Sequence, residues 1–234
     1  MPLLCYFPYP CNRSRMPKDS GRNRQPMVIL MANDIQIYCN CIDRVRYHVS
    51  VADTVFDGKI DTGRQDLNAE LIFLHLRKTL EEIAFASLSA NREKYSAARG
   101  GFATEWNARR MLGFIGQVNR NFYPVPLKEP QEIAPGKKHF QRVEDGYLTK
   151  EDFVTLYDGC SEVLHCRNPY APGDPTINVQ YRADEWSRRI KALLSWHFVQ
   201  LVDESGLWVI QVPNQGPVRA VAAIAEGPFV VNDP

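Results

Sequence analysis

The sequence predicts a mainly α-helical protein, a bundle of about five helices carrying a small C-terminal β element, either a hairpin or three short strands. Three observations predict it. Residues Asp66–Ala90 run without a glycine or proline and set apolar residues on one broad helical stripe. Segments on either side repeat that spacing. After His197 the period changes: Phe198–Val202 and Leu207–Val212 are short runs of strand-forming residues around Asp203-Glu204-Ser205-Gly206, a good hairpin connection, and Val218–Ala225 supplies a third run.

In chain order, residues 1–32 read as a disordered extension, with Met27 and Met31 as alternative translation starts to Met1. The helical domain then spans 33–199, and residues 200–234 form a β-structured tail packed on it. Ile35, Tyr38, Ile42, Val45 and Val49 make one helical stripe over Asn33–Ser50, with Asn33 as N-cap. Asp53–Arg64, with Gly58 and Gly63, reads as a loop. The central helix follows, with Leu67, Leu71, Ile72, Leu74, Leu76, Leu80, Ile83, Ala84 and Leu88 facing inward. Beyond Gly100-Gly101, Thr104–Val118 repeats the helical period through Ala108, Met111, Leu112 and Ile115.

Asn119–Tyr147, with Pro124, Pro126, Pro130 and Pro135 and no clear period, reads as a long connection, the kind of loop that tends to be functional or mobile. Thr149 with Asp152 is a variant of the capping box and opens a helix that buries Phe153, Leu156, Tyr157, Cys160, Val163 and Leu164 and ends at Asn168-Pro169. The last helix, Ala183–His197, presents Trp186, Ile190, Leu193, Leu194 and His197.

Composition narrows the function classes. In 234 residues, 44% hydrophobic and 11% aromatic content are those of a folded chain, and no apolar run approaches the roughly 20 residues of a membrane span. A soluble, cytoplasmic protein without membrane partners is the expectation. Net charge is +1, yet residues 1–26 and 92–120 are each +4, which marks local basic patches rather than a polyanion binder. The six cysteines lack zinc-knuckle or redox spacing, so reduced thiols are expected and neither a metal nor a cofactor is predicted.

Two clusters carry chemistry. Ser161–Tyr170 holds His165, Arg167 and Asn168 at a helix C-terminus, where the cations suit the carbonyl end of the dipole and Asn168 can cap it. The same three, beside a Pro/Gly-rich loop, could bind a phosphate, since a guanidinium fork matches phosphate. Trp106, Arg109, Arg110 and Tyr123 could make an aromatic and basic surface for single-stranded nucleic acid, with helical core as the plainer reading of the aromatics. His197 lies on an apolar stripe, where a hydrogen-bonded core histidine is the default.

The long helix containing Glu70–Glu82 (ELIFLHLRKTLEE), followed by a helix ending in Arg-Asn (LHCRNPY), resembles the HEPN superfamily of helical bundles across residues 33–199. Many of its members are metal-independent ribonucleases or nucleotide-binding modules of toxin–antitoxin and phage-defence systems. The resemblance implies that Arg167 would polarise a phosphate. The family's His, a few residues after that Arg, has no counterpart here: Tyr170, Ala171, Pro172, Gly173 and Asp174 stand in its place. It therefore implies an interaction module of a bacterial or mobile-element system, binding a protein or nucleic-acid partner. A ribonuclease or nucleotide-processing enzyme would need His165 in the missing role, or His75 and Arg77 approaching from the long helix. A third reading is a homo-oligomer whose hairpin pairs edge to edge, without catalysis.

Overall fold

The computed structural model describes residues 2–9, 25–100, 104–134, 137–166, 170, 180–201 and 206–225. Its elements are β1 (Pro2–Tyr9), α1 (Gln25–Phe56), α2 (Gln65–Ala90), α3 (Arg92–Ala98), α4 (Ala108–Val118), β2 (Val125–Pro126), β3 (Gln131–Ala134), β4 (Lys137–His139), α5 (Lys150–Leu164), α6 (Ala183–Leu194), β5 (Trp196–Gln200), β6 (Gly206–Gln211) and β7 (Arg219–Ala225). The described residues are mainly helical, with an antiparallel sheet built around the C-terminal strands.

Helix α2 is central, as its broad stripe predicts, and it packs on α1, α3, α4, α5 and α6. The α1 stripe from Ile35 to Val49 is buried, and the helix continues past Ser50 because Ala52 and Val55 extend it. It begins at Gln25 rather than Asn33. Its end is a Schellman turn: Gly58 has a φ of 70°, its N–H donates to the Val55 carbonyl, and the Lys59 N–H donates to the Thr54 carbonyl. Leu67 is exposed in the first turn of α2, and Phe73 takes a core place instead.

Helix α4 buries Ala108, Met111, Leu112 and Ile115, and Asn107 caps it by accepting from the Arg110 N–H. Thr149 and Asp152 form the reciprocal capping box at the start of α5. That helix closes at Leu164, before the expected Asn168-Pro169, and leaves Val163 and Leu164 half-buried. Likewise α6 stops at Leu194, and His197 belongs to β5, where strand pairing with β6 replaces the helical ladder.

The sheet has seven strands in the order β2-β5-β6-β7-β1-β4-β3, against the two or three expected. Strands β5, β6 and β7 are the predicted C-terminal runs, paired antiparallel in register from Trp196↔Gln211 to Gln200↔Leu207 and from Gly206↔Ile224 to Gln211↔Arg219. The extra strands come from elsewhere. Residues 2–9, expected within a disordered extension, pair as β1 with β7, and the 119–147 connection supplies β2, β3 and β4.

Alternation along the strands explains the recruitment of β2 and its flanks. Trp208, Ile210 and Val199 join the helical core on one face, while Leu207, Val209 and Phe198 point to the other. The second face is also apolar, and Leu127, Val125 and Phe140 of the connection cover it. Burial of that face orders a segment whose own pattern carries no period.

Candidate functional site

Of the residues expected to act on phosphate, Arg167 and Asn168 lie outside the described residues. His165 is the C-cap of α5 and is exposed, its backbone N–H donating to the Ser161 carbonyl at 3.1 Å. Arg77 of α2 reaches α5 one turn before it, at Ser161, and has its guanidinium engaged. Its Nη1 donates to Ser161 Oγ at 2.6 Å, Nη2 to Tyr157 Oη at 3.0 Å and Nε to Glu81 at 3.2 Å, while its carbon lies 4.5 Å from the centre of the Tyr157 ring. Arg77 thus ties α2 to α5. Burial beside this bridge pushes the Cys160 thiol up to about 12.

His75 does not join Arg77. It points to the opposite side of α2, where its Nδ1 lies 2.9 Å from Nδ1 of His48 on α1. Tyr47, 62% exposed, sets its edge against both imidazoles. Arg44 grips Glu82 through two hydrogen bonds of 2.6 and 2.8 Å one turn away. Desolvation comes first in lowering the pKa of both histidines; Lys78 adds to it at His48, and His48 and then Lys78 add to it at His75. Sequence inspection passes over this pair. The signal was the packing of two consecutive antiparallel helices, which faces the last turns of one with the first turns of the next.

The start of α4 keeps part of the aromatic and basic surface. Trp106 is 67% exposed and Arg110 is exposed beside it. Arg109 is instead paired with Asp158 at 2.7 Å. Tyr123 is not part of this surface: it is buried, and its hydroxyl donates to the Leu148 carbonyl at 3.1 Å.

A cleft of about 500 Å³ lies between α1, α6 and the turn joining β6 to β7. Its floor is apolar, from Val45, Val49, Ile190 and Leu194, and the rim carries Arg46, Asp53, Asp57, Lys59 and Lys191. Two rim pairs are internal, Lys191 with Asp53 and Lys59 with Asp57 at 2.8 Å, while Arg46 pairs at 2.7 Å with Asp43, outside the lining. Arg46 also donates through Nη1 to the carbonyls of Pro213 at 2.9 Å and Gly216 at 2.7 Å, fastening the far wall to α1. In the sequence Val45 and Val49 belong to the helical stripe and Asp53–Arg64 reads as a loop, so nothing there marks a cleft.

Among the described residues no group of three or more His, Cys, Asp or Glu could hold a metal ion, and no helix is long and apolar enough to cross a membrane. Comparison with protein-family models, with curated proteins and with solved structures gives no match. The functional reading therefore rests on this chain's own residues.

Proposed function

We infer that this protein is an interaction module that holds a short segment of a partner protein in the cleft between α1 and α6. The observation that carries the reading is the combination of an apolar floor with a rim of both charge signs. A volume of about 500 Å³ falls within the range of sites that enclose a ligand, and an apolar floor favours an apolar anchor side chain over a phosphate chain. Surface ion pairs of the rim type contribute no more than about 1 kcal/mol each, so they can re-pair with charges flanking the anchor at little cost.

A displayed library of short peptides tests this. Selected binders should share an apolar anchor, and Ser50→Trp, which fills the mouth from an exposed helical position, should weaken them by about tenfold or more with the helical circular dichroism unchanged. Binders indifferent to Ser50→Trp, or an empty selection, would sink the cleft reading. The HEPN-type ribonuclease has less behind it, because His165 stands exposed at a helix end and the Arg77 donors are engaged. RNA incubated with the wild type and with His165→Ala should remain equally intact.

A further inference from the structure

We propose that His48 and His75 form a proton-operated latch that fastens α1 to α2 and releases on acidification. The two Nδ1 atoms are 2.9 Å apart and the ring centres 5.1 Å apart, nearly the greatest separation that this nitrogen contact allows. The rings therefore meet head to head. Their lone-pair directions run along one line instead of converging on a third point, as two ligands of one metal ion would, so the shared object is a proton.

The proton count follows from that geometry. With both rings neutral, one Nδ1 carries the hydrogen and donates, and the other Nδ1 accepts; the accepting ring holds its own hydrogen on Nε2. A first added proton can settle on the Nε2 of the donor ring and leave the bond in place. A second has only the accepting Nδ1 left. It would set N–H against N–H at 2.9 Å and place two cations in contact. The latch tolerates one extra proton and excludes two.

The surroundings do not relieve that repulsion. From α1 the neighbours are Tyr47, whose edge faces both rings, and Arg44; from α2 they are Lys78 and Glu82. Glu82 is the one carboxylate among them, and Arg44 already holds both of its oxygens while also donating to Cys41 Sγ. Lys78 adds a further positive charge. Both histidines thus have folded-state values below the ordinary one, so the unfolded chain binds more protons. Stability from the latch is fully present above about pH 6.5, the unfolded value, and is lost as pH falls below it. Because α1 also forms one wall of the cleft, the latch lies on the opposite side of the helix that shapes it. The latch stands on its own geometry and does not depend on what the cleft binds.

Hydrogen exchange of the full chain, corrected for intrinsic rates and compared at about pH 7.5 and about pH 5.5, tests the latch. Amides of α1 and α2 around His48 and His75 should lose roughly five- to tenfold in protection at the lower pH, the size of one net hydrogen bond. His75→Gln, which keeps a hydrogen-bonding side chain but cannot take up a proton, should lose much less. The contribution of the other histidines is common to both proteins and cancels. A nuclear magnetic resonance titration of the wild-type imidazoles needs no variant and should show the pair titrating in two well-separated steps. Equal pH dependence in wild type and His75→Gln, or two coincident steps near the ordinary histidine value, would overturn the proposal.

Discussion

Tyr38 and His197 show how far a single residue can be read. The apolar stripe around His197 gave a buried, hydrogen-bonded histidine, and the structure holds it fully buried with Nδ1–H donating to the Leu194 carbonyl at 2.9 Å and Nε2 accepting from the Tyr38 hydroxyl at 2.8 Å. What the sequence could not supply was the partner, since Tyr38 lies on α1 and meets His197 only through the closing of the sheet on the helices. Burial pushes the imidazole down to about 4. The unfolded chain takes up a proton first, so stability is complete above about pH 6.5 and declines from there toward about pH 4. Tyr38→Phe leaves the buried Nε2 without a donor and should cost about 1–3 kcal/mol in urea unfolding at neutral pH. Arg77 was harder to read, because no local pattern records that Tyr157 and Ser161, some eighty positions away, occupy its donors.

At the scale of elements, what depends on local chemistry was legible. The Thr149–Asp152 box, the Asn107 end of α4 apart, fixed a helix start from sequence alone, and α2 appears with nearly its expected limits. Thr149→Ala removes the acceptor for the Asp152 N–H and should lower stability by about 0.5–2 kcal/mol, measured by thermal unfolding, with the rest of α5 intact. Strands β2, β3 and β4 were not legible because they are short and set among prolines. Strand β2 has two residues and is held beside β5 with Leu127 packing under Phe198, while β3 and β4, with Gln131, Glu132, Ile133 and Lys138 exposed, are held by pairing with each other and with β1. A propensity argument cannot find a strand whose order comes from the surface that it covers.

Across the whole molecule, the mainly helical class and the C-terminal β runs followed from periodicity, while the sheet's membership did not. Its neighbours are far apart in the chain, as Val125↔Phe198 and Leu3↔Ala225 are, and no local pattern records such pairings. The edge-to-edge homo-oligomer meets a physical obstacle here, since β2 lies along β5 and β1 along β7 on either side of the predicted strands. Val199, Trp208 and Ile210 belong to the same core as α1 and α2, so the C-terminal region is part of the fold and not an appendage. A chain truncated before Phe198 should lose its cooperative thermal transition; a truncated chain that keeps it would show that the helices stand alone.

The guanidinium of Arg46 reaches from α1 to two carbonyls of the turn between β6 and β7. The turn contains Gly216 at a φ of 86°, a backbone state that most other residues resist. One side chain therefore sets the gap between two walls of different secondary structure. Lysine keeps the charge at that position but not the fork. With Arg46→Lys the two walls would be tied by one point contact instead of two, and the width of the cleft between them would vary more, like a strap fastened by one rivet.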